Sequence, residues 1–113
     1  MPINRKRLMT PTLITDSAVT YYTVGANKST KDIEFHFTNT DTSVTIGVTV
    51  YLVESGGSAG ASNTFLDENY FTLAPYEARP WGTDQALNAG DFIVMKADTT
   101  AKIATFVSGT EVT

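Results

Sequence analysis

At 113 residues the chain has room for one hydrophobic core and not two. It has no cysteine, which excludes a disulfide framework, thiolate zinc sites and a cysteine nucleophile. Eight basic against twelve acidic residues give a formal charge of −4, the wrong sign for a general nucleic-acid binder, so direct nucleic-acid binding is not expected. Threonine is the commonest residue, with 19 copies against 7 serines, and its β-branched side chain favours strands.

Residues 1–11 read as an extended arm, because Pro2 and Pro11 disfavour helix around themselves. The arm carries Arg5, Lys6 and Arg7, so the remainder, with five basic and twelve acidic residues, stands near −7. Such an arm and body attract each other, or each other's copies. Arg5-Lys6-Arg7 is too short and too poor in aromatics to predict nucleic-acid contact. Together with Leu8 it is assigned instead to a protein partner. Thr10, Pro11, Thr12, Thr15 and Asp16 interrupt any apolar run after the basic residues, so no signal peptide is expected. No stretch approaches the ~18 apolar residues of a membrane span, and no membrane partner is expected.

Residues 12–113 read as a single domain. Leu13–Thr15 and Val19–Val24 are short candidate strands. Ile33, Phe35 and Phe37 alternate with Glu34, His36 and Thr38, a period of two with one face buried. The clearest strand follows: Val44, Ile46, Val48, Val50 and Leu52 on one face, with Tyr51 and Val53 implying that the other face is partly covered. The small, uncharged run 55–63 reads as an exposed loop. Asn63–Leu66 and Tyr70–Leu73 are short strand candidates. Pro75, Pro80 and Gly82 make Tyr76–Thr83 an edge strand or an irregular connection. Phe92–Ala97 and Lys102–Val112 complete the set, with Asp98-Thr99-Thr100-Ala101 read as a hairpin turn. No segment sustains helical periodicity; the best candidate, Thr83–Ala89, is too short. About eight strands and no helix predict an all-β fold, an antiparallel β-sandwich of jelly-roll type with an extended N-terminal arm.

Candidate chemistry is sparse. His36, the one histidine, lies on the polar face of its strand and has no Gly-x-Ser-x-Gly elbow to serve. Asp67-Glu68, the one adjacent acidic pair, reads as solvated turn acids without metal-ligand spacing. No catalytic residue, metal or cofactor is assigned, and an enzyme is not expected. Trp81, with Arg79, Tyr76 and Tyr70 nearby, has two readings: a platform for sugar rings, or a contact at a sandwich edge or between subunits. These four residues, with Arg5, Lys6, Arg7 and Leu8, are the expected partner-binding set.

Several short segments carry a resemblance. Tyr22-Thr23-Val24, Phe37-Thr38-Asn39, the strand-and-loop run from Val50 to Thr64, Leu87-Asn88-Ala89-Gly90-Asp91 and the ending from Val107 to Val112 follow one another in order. Together they resemble a loose family of small all-β structural proteins of tailed-bacteriophage virions, over residues 20–113. The order of the motifs is more specific than any one of them. The family's usual Pro-Ala-Gly turn is Gly25-Ala26-Asn27 here. The resemblance implies a non-enzymatic virion component made in the host cytoplasm, most specifically a capsid decoration (cement) protein that self-associates and docks on the major capsid protein. A trimer would suit a local threefold of a shell. The alternatives are a neck, tail or fibre-base protein and, in another class, a carbohydrate-binding module on the particle surface.

Overall fold

The structure is a computed structural model that describes residues 3–113. Met1 and Pro2 of the expected arm lie outside the described residues. Nine strands follow in order: β1 (Ile3–Ile14), β2 (Val19–Thr23), β3 (Ser29–Asn39), β4 (Ile46–Val53), β5 (Thr64–Leu66), β6 (Thr72–Leu73), β7 (Ala78–Thr83), β8 (Phe92–Ala97) and β9 (Ile103–Val112). The helical content of the described residues is one 3₁₀ turn at Ala61–Asn63, so no helix there is long enough to cross a membrane.

The strands form two antiparallel sheets. One has the order β1-β9-β3-β7; the other has β2-β8-β4-β5, with β6 pairing on β4. Successive strands change sheet everywhere except along β4, β5 and β6, which is the winding of a jelly roll. The expected sandwich is therefore present. The Asp98–Ala101 turn is not a hairpin, because β8 and β9 belong to different sheets. It arches across the sandwich, with Ala101 at φ 59° and its N–H donating to the Ile14 carbonyl at 3.0 Å.

Residues read as the arm have the extended backbone expected of them. They belong to β1, which runs antiparallel along β9 from Ile3 opposite Val112 to Ile14 opposite Ile103. Register shifts between Arg7 and Met9 and between Met9 and Thr12 break the alternation, which is why the period-two pattern is not visible there. Leu8 packs against the core and Met9 is buried. Lys6 reaches Glu111 at 3.3 Å, and Lys28 reaches the same carboxylate at 3.5 Å.

The core lies where the alternation placed it. Phe35, Phe37, Val48, Val50, Ile93, Met95, Ile103 and Val107 are all buried between the sheets. Val44, read as part of β4, is exposed and precedes the strand. Asn39 is fully buried: its amide donates to the Val44 and Leu73 carbonyls at 2.8 and 3.0 Å, and its Oδ1 accepts the Asp41 N–H at 2.9 Å. One side chain thereby fixes the β3–β4 connection onto β6. Asp41 continues the turn by accepting the Ser43 and Val44 N–H groups, which hold its carboxyl below its ordinary range.

The second face of β4 is covered, as Tyr51 and Val53 implied. The chain segment 67–71 crosses it, with Thr49 bonded to the Glu68 carboxylate at 3.2 Å and Lys96 joining Glu68 at 3.3 Å. Asp67-Glu68 is thus part of an ordered cluster, not a pair of solvated turn acids. The bond to Glu68, with help from neighbouring Tyr51, holds the Lys96 ammonium above its ordinary range.

Gly47 lets this segment lie so close. A Cβ there would sit inside contact distance of the Glu68 carbonyl oxygen, whereas one at Gly60 would meet nothing within 4 Å. Gly47→Ala should therefore cost about 1–3 kcal/mol, the usual range for overpacking. Gly60→Ala should change stability by less than about 0.5 kcal/mol, as open surface sites do. Urea unfolding midpoints of the two variants check this; equal midpoints would show that the 67–71 segment is free to lift away.

Candidate functional site

A sandwich of two open sheets has two lateral sides. Strands β1 and β2, joined through a short connection, flank one; β5 and β7, the other pair of sheet edges, flank the second. The second side holds a cleft. Register explains which side chains enter it. Phe35 faces the core, and Trp81 is its direct partner on β7, so Trp81 faces inward too; Arg79 follows as the partner of Phe37. Beyond β7 there is no further strand to cover them, and Trp81 remains 40% exposed.

The cleft is the outer end of a chain of aromatic contacts. Phe35 and Phe37 stack at 5.9 Å, Phe37 meets Phe71 at 5.2 Å, and Phe71 meets Trp81 edge-to-face at 5.4 Å. Phe65 on β5 touches Phe35 at 6.0 Å from the opposite sheet. The Arg79 guanidinium lies 5.0 Å above the Phe71 ring and pairs with Glu77 at 3.0 Å. Two adjoining hollows share Phe65 and Trp81: one of about 570 Å³ toward Gly82 and Asp84, one of about 430 Å³ toward Tyr70 and Arg79.

Three of the residues singled out in the sequence, Tyr70, Arg79 and Trp81, thus meet at one cleft. Tyr76 does not line these hollows; it stands exposed at φ 63° in the turn before β7. Arg5 crosses from β1 toward the same cleft, donating to the Asp32 carbonyl and, at 3.2 Å, to Ser108 Oγ. Lys6 and Leu8 face the interior side of the sheet, while Arg7 is exposed opposite Ser108. Sequence reasoning missed Phe65. Its short apolar run reads as an ordinary strand, and only the sheet order puts it across from Trp81.

The outer face of the β1-β9-β3-β7 sheet is the other unusual surface. His36, on this face as the alternation predicted, stacks on Phe106 at 4.5 Å and contacts Glu34 at 2.7 Å. Pro80 lies opposite His36, Ala104 opposite Thr38, and Leu13 opposite Ala104. Leu13 is 48% exposed and Phe106 36%. The other end of the face carries Arg5 and Arg7. The solvated side of an antiparallel sheet is ordinarily polar, so Leu13, Phe106 and Pro80 stand out there.

No group of three or more metal-ligating side chains comes together among the described residues. What these surfaces offer is contact chemistry: an aromatic floor, carboxylates and guanidinium groups at its rim, and an apolar sheet face.

No family model matches the chain, and no curated protein matches it. Among solved structures it is similar to a chain from the disulfide-linked pili of Bacillus endospore appendages. That match has a TM-score of 0.55 at 15% identity and covers 98% of this chain and 88% of that one. It is also similar to a chain of the infectious bursal disease virus Gx strain, with a TM-score of 0.49 at 8% identity, covering 97% of this chain and 30% of that one. At 15% identity the likeness to the pilus chain is one of fold.

Glu77 anchors the cleft's Arg79 and is itself tuned. Its carboxyl is held below its ordinary value of 4.5, first by accepting the Ala74 N–H and then by the Arg79 guanidinium. A depressed carboxyl stabilises the fold above its unfolded pKa and loses that contribution as pH falls through the folded one. Thermal unfolding followed by circular dichroism should therefore show Tm falling as the pH drops below the ordinary carboxylate value. Glu77→Gln should make that slope shallower, leaving the part due to Asp41. An unchanged slope would mean that the Glu77 bonds do not persist in solution.

Proposed function

We propose that this protein is a non-enzymatic structural subunit that self-associates and docks on a larger protein assembly. In its specific form the proposal is a decoration protein seated on the major capsid protein of a tailed phage, as a trimer around a local threefold, and so located in the virion. A neck, tail or fibre-base position would use the same surface.

The observation that carries this reading is the outer face of the β1-β9-β3-β7 sheet. Leu13, Phe106 and Pro80 expose apolar area where solvent alone would favour polar residues. Arg5 and Arg7 add charge at one end, which suits recognition of an acidic surface. The sheet edges argue for a face, not an edge, as the contact. Pro11 and two register shifts interrupt β1, and Pro80 interrupts β7. Strand addition is thereby discouraged at both ends of the sheet. The fold shared with a pilus-forming chain supports an assembly role. That pilus is disulfide-linked; this chain has no cysteine, so its own contacts would rest on packing and charge.

Sedimentation of purified protein, alone and with undecorated shells, tests the proposal. The parent should form a discrete oligomer and co-sediment with shells in fixed stoichiometry. Phe106→Asp and Leu13→Asp should each weaken both by about tenfold or more, the effect of removing a central apolar contact. A chain that stays monomeric at about 100 μM, near the weak limit of specific association, and that ignores shells would overturn it. Binding to tail assemblies and not to shells would move it to the tail.

A further inference from the structure

We propose that the lateral cleft between the β5 and β7 edges binds a neutral oligosaccharide, with Trp81 and Phe65 as the stacking surface. The two hollows that flank these rings fall within the ~300–1,000 Å³ of small-ligand sites. They share Phe65 and Trp81 and so adjoin along the edge of β7, an elongated site that suits a linear chain better than a compact ligand. Sugar rings present apolar C–H faces and a rim of hydroxyls. The cleft presents the complement: aromatic rings at its floor and carboxylates at its margin, Asp84 at one end and Asp67 at the other.

The charges select a neutral ligand. Both guanidinium groups at the cleft are already engaged, Arg5 with the Asp32 carbonyl and Ser108, Arg79 with Glu77 and the Phe71 ring. The lining carries four carboxylates, Asp32, Glu34, Asp67 and Asp84, against these two guanidinium groups, so an anionic sugar would meet a net negative site. The backbone disfavours an added peptide strand. Pro80 has no N–H, so the β3–β7 ladder bonds run through the Phe35–Trp81 and Phe37–Arg79 pairs, and the missing donor lies on the outward edge of β7. Facing it, β5 is only three residues long. An incoming strand would find one of the three outward donors of β7 missing, whereas a saccharide needs none.

The floor is also pre-formed. Trp81 rests edge-to-face against Phe71, which packs on the fully buried Phe37, so little side-chain freedom remains to be lost on binding. Gly82 keeps the larger hollow open. A Cβ at that position would meet only the Ile33 carbonyl oxygen, at 4.0 Å. A side chain there is tolerated by the backbone and would occupy the hollow.

Trp81 is the one tryptophan, so its fluorescence reports on the cleft directly. The intact protein is titrated with maltotetraose, cellotetraose and N-acetylchitotetraose, and with tetragalacturonate as the anionic control. At least one neutral probe should shift the Trp81 emission saturably, and tetragalacturonate should not. Gly82→Leu and Asp84→Asn, both of which keep the reporter, should weaken that probe by about fivefold or more, while Phe106→Asp on the outer sheet face should leave it unchanged. Circular dichroism confirms that each variant is folded. Absence of any shift up to about 10 mM, weaker than millimolar affinity, overturns the proposal. So does equal binding by Gly82→Leu, or equal binding of tetragalacturonate. An emission shift that follows protein concentration and not sugar would make the cleft a protein contact, which also overturns it.

Discussion

The sandwich depends on the insertion of its last strand, β9, between β1 and β3. The first strand of the chain has no other sheet partner, and β3 would be left with β7 alone. The residues that β9 turns inward, Ile103, Thr105, Val107 and Glu111, are all buried, and Gly109 completes that row. At Gly109 a side chain would press on Leu8 and Thr30, so the absence of one lets β1 and β3 close on β9 from both sides. The β1–β9 pairings join residues 89 to 109 positions apart and the β3–β9 pairings residues 64 to 83 apart. They reward the chain only after the whole of it has been gathered, which makes this a high-contact-order fold whose closure comes late. The buried Thr105 hydroxyl has no hydrogen-bond partner among the described residues.

From that central strand the aromatic order runs outward in one direction. Phe35 and Phe37 belong to β3, beside β9, and lead through Phe71 to Trp81 at the open flank, while Phe65 meets Phe35 from the other sheet. The exposed ring is thus the last member of a packed series, which explains how an edge tryptophan keeps a fixed position. The opposite flank has no such series. There β1 and β2 are linked through Thr15–Ala18, and β1 carries its charge outward or onto Glu111.

How far the sequence revealed this depended on whether a signal was local. The alternation in Ile33–Phe37, Ile46–Val53 and Ile103–Val107 is period two without interruption, and each became a strand with the inward face as read. Pro80 marked β7 as an edge because a missing N–H is a property of one residue. The basic segment was legible as extended but not as the partner of β9, since its register shifts scramble the period and its charges mask Leu8 and Met9. The Asp98–Ala101 turn has hairpin chemistry, yet it arches between sheets; turn residues specify a reversal, not which sheet receives the next strand. The grouping of Tyr70, Arg79 and Trp81 followed from proximity in sequence, whereas Phe65 joined them only through sheet order. Tyr76 looked equivalent to its neighbours but stands in a turn, where no strand face directs it into the cleft.

Strand β7 then carries a consequence for how the surfaces coexist. Its residues alternate: Ala78 and Pro80 pair with Thr38 and His36 on the outer sheet face, Arg79 and Trp81 pair with Phe37 and Phe35 toward the interior, and Gly82, opposite Glu34, stands where the outer face runs into the larger hollow. One short edge strand therefore borders both the apolar sheet face and the aromatic cleft, and it does so with different side chains. A partner seated on the sheet face would touch Pro80 and leave Trp81 on the flank. Away from Arg5, Glu34 and Gly82, where the outer face runs into the larger hollow, occupation of one surface need not close the other, because the pleat sends adjacent residues to opposite sides. A subunit held on a shell by its sheet face would keep its cleft turned sideways, open to whatever passes along the particle surface. The same geometry sets the limit: a partner thick enough to wrap the β7 edge would cover both, so the two roles are compatible only for a contact that stops at Pro80.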